Sequence, residues 1–484
     1  MDEYGYVYAT AGVMALYFII QMATKRFDPF APVWLFFVGY FQLYVIQALS
    51  YHDWAVGVRG VELVTAANQQ ALWALIWYLF VYHVGVGNII APRLPSPPRG
   101  WSNLAVMLLS PGLILWGLFC SGVMGGTPFG GAATAEEALF RSFPFVMMVA
   151  AIMLIVSGRR PDAPKPVLLW AGLATSFAYI VIWMFNGKRS HSLIAVLATV
   201  CAFYISRQKR PSWPVLLATS FTGAMVVSLA LGWRGNMNYE RTLSGFVEFV
   251  GDFDFAMILE NMDVVDETEG ANEEHFTYET KEYGGFLLMK DTVPEKSDYD
   301  YGANYIRTFS TFIPRIVWPD KPLFGRQKWI NAWIVGSEMD RQENYTSPAI
   351  GLLGATQLNG GAIGTIVVVA VIAILHRCCY AYFRMYADVP WVQFWWALAF
   401  FNAWFMVVND DPMVWFYYNW GFTTFPFVVL LWWICRGAGE PPAEAPAATW
   451  AESGVEASAA RSAGFSVEAA YYHPGDVHQC STWR

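Results

Sequence analysis

Charge is what this sequence has least of. Only 14% of its 484 residues are Asp, Glu, Lys or Arg, against about 25% in an average soluble protein. So few charges cannot clothe a globule of this size in polar surface. That excludes a disordered chain and argues against a soluble enzyme. A cysteine framework is missing as well. Cys120, Cys201, Cys378, Cys379, Cys435 and Cys480 are scattered, none falls in the long polar segment, and no CxxC pair points to zinc. No arginine-rich stripe suggests nucleic acid. No internal repeat is visible. Met1-Asp2-Glu3 gives no basic stretch before the first apolar run, so no cleaved signal peptide is expected.

What the chain does have is apolar and aromatic. It is 56% hydrophobic with 23 Trp, 25 Tyr and 35 Phe, and its mean hydropathy is +0.35. Aromatic rings anchor at membrane–water interfaces, so the expected class is an all-α, polytopic transmembrane bundle. A helix needs about 20 apolar residues to cross a bilayer. Such runs fall at 5–24, 31–50, 69–90, 102–122, 143–157, 166–186, 190–206, 213–232, 347–375, 391–408 and 413–435, which predicts about eleven spans. The fifth and seventh are short, as a buried or tilted helix can be.

The loops alternate in basic content. Lys25, Arg26, Arg93, Arg99, Arg159, Arg160, Lys165, Arg207, Lys209, Arg210, Arg377, Arg384 and Arg436 fall in one set. Only Arg59, Arg141, Lys188 and Arg189 fall in the short loops of the other. The positive-inside rule puts the first set in the cytoplasm, with the N-terminus outside and the C-terminus inside. The chain then divides into spans one to eight (1–232), a large extracytoplasmic loop (233–345), spans nine to eleven (346–436) and a disordered cytoplasmic tail (437–484). The loop carries 21 Asp/Glu and 11 Lys/Arg, and a connection this long is usually functional. Its acidic first part is expected to be solvated. Its aromatic half, 301–333, is expected to fold back as a lid, with Trp318 and Trp329 buried or at the membrane interface. His83 reads as a hydrogen-bonded core histidine.

Chemistry is expected where cations sit on the outer side. Lys188-Arg189-Ser190-His191 follows Asn186-Gly187 at a tight outward turn and opens span seven. A helix start attracts anions, and arginine presents a planar fork to phosphate oxygens. The plain alternative is an interfacial anchor or a salt bridge. Trp233-Arg234-Gly235, then Arg241, lies at the mouth of span eight; headgroup snorkelling would also explain it. The densest cluster is Pro314-Arg315-Ile316-Val317-Trp318-Pro319-Asp320-Lys321-Pro322, flanked by Arg307 and Arg326. Its prolines stiffen the backbone, and rings beside cations suit a sugar phosphate; a surface-packed structural loop is the alternative. His52-Asp53 with Glu62, and Asp252-Phe253-Asp254 as an Asp-x-Asp metal pattern, are weaker signals.

The 314–322 run resembles the signature of the oligosaccharide repeat-unit polymerases, the Wzy-type O-antigen polymerase family. Gly187-Lys188-Arg189 is similar to that family's Gly-x-Arg turn. Ser347 to Gly351 and Asn359 to Gly364 resemble the helix that follows its large outer loop. The resemblance in plan covers about residues 5–435, and its specific motifs cover some thirty. It implies a multi-span (GT-C-like) glycosyltransferase architecture in a bacterial inner membrane. The implied reaction moves a glycan from undecaprenyl diphosphate to a hydroxyl of another lipid-linked repeat unit, with no metal and no cofactor. Arg189, Arg234 and Arg315 would hold the diphosphate, converging on one outer cavity. His191 or Asp320 would be the base, with Asp252, Asp254 and His275 as further candidates. Lys188, Arg241, Arg307, Trp318, Lys321 and Arg326 would bind substrate. The implied partners are the undecaprenyl-diphosphate-linked oligosaccharide and membrane lipid, with a flippase and chain-length regulators as further candidates; nucleic acid is not among them. An O-antigen ligase, another multi-span glycosyltransferase, a lipid-linked sugar transporter or flippase, and a non-enzymatic scaffold of an envelope complex are the alternatives. The sequence shows neither the repeat nor the intramembrane charges that many transporters have.

Overall fold

A computed structural model describes residues 3–124, 144–161, 164–235, 239–240, 242–253, 282–303, 305–306, 318, 350–408, 429–430 and 432. Every regular element among them is helical. Eight helices are long and apolar enough to cross a membrane: α1 (Glu3–Ala23), α2 (Pro32–Ser50), α3 (Val61–Arg93), α4 (Asn103–Met124), α6 (Pro166–Phe185), α8 (Trp213–Gly235), α9 (Gly351–Met385) and α10 (Pro390–Val408). Two shorter apolar helices, α5 (Phe145–Arg159) and α7 (Arg189–Ile205), complete the set. The expected span 413–435 lies almost wholly outside the described residues.

The shortness of α5 has a simple cause. Every residue from Phe145 to Gly158 is buried, so this helix is the centre post of the bundle and touches no lipid. Its neighbours approach closely at small residues. At Gly158 a Cβ would collide with the backbone of Leu169. The outward faces of the other helices are apolar: Leu108, Val167, Trp170, Phe177, Leu217, Phe221 and Ile363 are all exposed. Water would not tolerate so continuous an apolar surface, whereas lipid tails would. The described residues therefore form a polytopic helical bundle of the membrane class.

Contacts sort the bundle into two ends. At one, Asp28 is buried and accepts a hydrogen bond from the Tyr380 hydroxyl at 2.5 Å. The Arg210 and Arg384 guanidinium groups lie 3.8 and 3.7 Å from it. Trp213 stacks on Phe27, which fixes the start of α8 at this end. The opposite end holds Glu3, Tyr4 and His52, with the Tyr4 hydroxyl 2.8 Å from His52 Nδ1.

This second end is covered by a cap, which the sequence reading places differently. The helix Glu282–Thr292 comes from the acidic part of the long polar segment, yet Tyr283 to Met289 are buried. Its carboxylates are paired and not simply solvated. Glu282 accepts from Gln47 Nε2 at 2.7 Å, and Asp291 accepts from Arg59 at 2.9 Å and Lys296 at 2.7 Å. Helix α9 begins at Gly351 and breaks at Gly360–Gly361, where Gly361 has φ 59°. Residues 351–359 belong to the cap. With Leu288, Met289 and Val293 of the polar segment, Ile350, Ala355 and Leu358 close a small core of their own. The part of α9 after the break, 24 residues to Met385, is about 36 Å long at about 1.5 Å per residue. That exceeds the ~30 Å hydrocarbon core, so the break stands at the mouth of the bundle and not at mid-membrane.

Helix α2 holds the cap down. A π-helical stretch, Gln42–Gln47, lies within it; such insertions often mark functional regions. Tyr44 Oη accepts from the Leu353 backbone N–H at 2.9 Å, and Gln47 Oε1 accepts from that of Tyr283 at 3.0 Å. Each satisfies an orphan donor in the first turn of a cap helix. Helix α3 also starts earlier than its apolar run, at Val61 and not near 69. Its first turns are polar because they serve the cap: Asn68 Oδ1 accepts from the Tyr283 hydroxyl at 2.7 Å. His83 is exposed, with Nε2 3.1 Å from the Tyr17 hydroxyl. The enclosed histidine is instead His376, whose Nδ1 lies 2.9 Å from the Tyr78 hydroxyl.

Candidate functional site

The turn between α6 and α7 is built by its sequence. The N–H of Gly187 bonds to the Met184 carbonyl and that of Lys188 to the Trp183 carbonyl, both at 2.9 Å. This is a Schellman closure, and Gly187 takes the left-handed conformation it needs, with φ 64°. The chain re-enters a helix at once, with Lys188 in the N-cap position and Arg189 first in α7. Lys188 and Arg189 are exposed. The half-buried His191 ring stacks on Trp183 at 4.3 Å between centroids, with its Nδ1 3.3 Å from Ser190 Oγ.

Helix α8 delivers the second expected cluster to the same corner. Trp233 is fully buried and its indole N–H donates to the Phe185 carbonyl at 2.8 Å. Arg234 follows directly in the helix, so its backbone stands beside the Gly187–His191 turn; of its side chain the structure describes nothing. Trp233, Met184, Val196, Phe246 and Phe249 form the apolar floor beneath this corner, with the short helix Leu243–Gly251 closing one side. Asp252 caps that helix and accepts from the Tyr239 hydroxyl at 3.1 Å.

Other site residues fall elsewhere. Arg241, Arg307, Arg315, Asp320, Lys321 and Arg326 lie outside the described residues, as do Asp254, His275 and Trp329. Trp318 is described and is 40% exposed, so burial fails for it and the interface placement is what remains. His52 is not an open acid–base group. It is buried, stacked on Tyr4 at 3.9 Å, with Asp53 Oδ1 3.1 Å from Nδ1. Among the described residues no cluster of three or more His, Cys, Asp or Glu could hold a metal.

The structure adds a polar relay that sequence reading missed. Lys290 of the cap donates to Gln70 Oε1 at 2.8 Å, Gln70 Nε2 donates to Thr365 Oγ1 at 2.9 Å, and Thr365 donates to the Gly361 carbonyl at 3.0 Å. It ties the cap, α3 and the break in α9 together at the top of a lateral groove. A signal existed: Gln70, Trp73 and Trp77 recur at helical spacing along α3. Comparison with protein-family models, curated proteins and solved structures finds no match to this chain.

Proposed function

We propose that this chain is a glycan polymerase of the cytoplasmic membrane. It would transfer a chain carried on undecaprenyl diphosphate to a hydroxyl of another lipid-linked repeat unit at the outer face. The observation that carries the reading is the corner where the Gly187–His191 turn meets Trp233–Arg234. Two cationic motifs 45 residues apart in sequence are brought together by the Trp233–Phe185 bond, at the capped end. In this reading the capped end faces outward, the spans number eleven and the architecture is of the GT-C-like kind.

The chemistry asks for little beyond positioning and charge. The acceptor oxygen attacks the anomeric carbon, the bond from that carbon to the diphosphate oxygen breaks, and undecaprenyl diphosphate leaves with the electron pair. The hydroxyl proton passes to a base, for which His191 or Asp320 are the candidates. Arg189, Arg234 and Arg315 would hold the departing diphosphate through forked hydrogen bonds. Arg→Lys keeps the charge but loses that geometry. Purified protein in nanodiscs, given lipid-linked repeat units, is expected to make a product ladder. Arg189→Ala should remove it, and Arg189→Lys nearly so. Polymerisation that survives Ala at all three arginines in a stably folded protein would sink the proposal.

A second reading, a transporter or flippase for a lipid-linked sugar, gains support from the broken helix α9, since transporters often bind substrate at such breaks. The position of the break near one membrane face counts against it. Movement of lipid-linked sugar across liposomes without glycosidic bond formation would favour it.

A further inference from the structure

Between α3 and α9 a groove of about 500 Å³ opens sideways, within the usual range for ligand pockets of about 300–1,000 Å³. Its walls are Trp73, Trp77 and Ile366, and its head is formed by Gln70, Lys290 and Thr365. Trp73 and Ile366 are 58% and 52% exposed, so the groove faces the surroundings of the bundle and not its interior. Its depth follows from α9. Met385 ends that helix beside Arg384 at the Asp28 end, and 20 residues back, past the Gly360–Gly361 break and within unbroken helix, is Thr365 at the head of the groove. Twenty residues rise about 30 Å, the thickness of the hydrocarbon core. The head of the groove is therefore level with one membrane face, and the walls run down from it into the apolar layer.

The head is short of negative charge. Lys290 is half-buried, and burial pulls its ammonium below the usual lysine range. Its hydrogen-bond acceptor, Gln70 Oε1, is a neutral amide, and the amide nitrogen is committed to Thr365. Asp291 is next in sequence but is engaged by Arg59 and Lys296. Among the described residues no carboxylate pairs with Lys290. A cation partly withdrawn from water without a counter-charge is costly, and an anion arriving at that spot would offset the cost. The walls below accept only apolar matter.

We propose that this groove binds a phosphate-headed lipid, with the phosphate on Lys290 and the hydrocarbon chain along Trp73, Trp77 and Ile366. The lateral opening lets the lipid enter from the bilayer without leaving it. The site does not depend on glycan transfer, and a binding assay without any acceptor tests it separately.

The test is native mass spectrometry of the full-length protein in detergent, titrated with farnesyl diphosphate, farnesol and inorganic diphosphate. Farnesyl diphosphate should bind at least tenfold more tightly than farnesol, and a hundredfold excess of inorganic diphosphate should not displace it. Lys290→Gln should lose about tenfold in affinity, Lys290→Arg should retain it, and Trp73→Ala should weaken it. If Lys290→Gln does not give monodisperse protein, Ile366→Trp, which fills the groove from its lower side, is read instead and should show the same loss. Farnesol binding equally well, inorganic diphosphate alone binding as tightly, or unchanged affinity in Lys290→Gln would each overturn the assignment. So would a Trp73→Cys variant that forms a disulfide between two copies in native membranes, since a second chain would then occupy the groove.

Discussion

Asp28 gathers more partners than Asp53 or Asp252, two carboxylates that the sequence singled out and that the structure describes. It is 4% exposed, with Tyr380, Arg210 and Arg384 around it. Removing one member of a buried pair costs about 3–5 kcal/mol. Here both guanidinium groups are about a third exposed, which screens them. Asp28→Ala is therefore expected to destabilise by about 2 kcal/mol, read as a lower melting temperature of the purified protein. Tyr44→Phe should cost about 1–3 kcal/mol by the same measurement, because it leaves the buried Leu353 N–H without an acceptor. Neither residue stands out in sequence. Their partners are hundreds of positions away, and a lone Asp in a short loop or a Tyr in an apolar run carries no mark of what it will meet. The same blindness made Glu282, Asp291 and Asp300 look like solvated acids. Asp300 is in fact buried, its backbone N–H bonded to the Leu358 carbonyl at 2.9 Å.

Ten of the eleven expected apolar runs fall on helices, eight of them long and apolar enough to cross a membrane, because a helix in lipid must be apolar over its whole length. Their ends were less legible wherever a helix continues past the membrane. The first turns of α3 and the 351–359 part of α9 are helical but serve the cap. The break in α9 hides in an ordinary Gly-Gly pair whose backbone angles no periodicity reveals. Those angles make a sharp test. Gly361 has φ 59°, and a Cβ there would stand 2.7 Å from the Tyr299 hydroxyl. Gly360 is extended, with φ 168° and nothing near a new Cβ. Gly361→Ala should destabilise by more than about 1 kcal/mol, while Gly360→Ala should be nearly neutral. Similar losses for both, in thermal unfolding of detergent-purified protein, would mean the break is not built as described.

For the whole molecule, the division into two ends predicts that fusions placed after Arg210 and after Asp300 report opposite sides of the membrane. The loop holding Arg210 meets Asp28, whereas Asp300 packs on the cap at the other end. Reporters on one side would break this arrangement. The candidate site was only partly readable at this scale. Lys188–His191 announced itself because two cations opening a span run against the charge bias of the loops, and Arg234 because it follows a span directly. That they share a corner follows from Trp233 reaching Phe185, which local pattern cannot foresee. The Lys290 groove was invisible for the same reason: its cation and its walls come from three stretches of chain.

The clamp that α2 places on the cap also imposes an order in time. Tyr44 and Gln47 leave the ribosome more than 200 residues before the groups they bind: Gln47 precedes Glu282 by 235 residues and Tyr44 precedes Leu353 by 309. At ~5–20 residues per second of synthesis, those side chains wait about ten seconds to a minute. Through that interval Tyr44 and Gln47 lack the partners they have in the finished fold. A nascent chain stalled before residue 351 would be an unfinished lock, exposed to membrane quality-control proteases. Pulse-labelled chains truncated at 340 are expected to decay faster than full-length ones, and Tyr44→Phe, which removes one of the waiting groups, should narrow that gap.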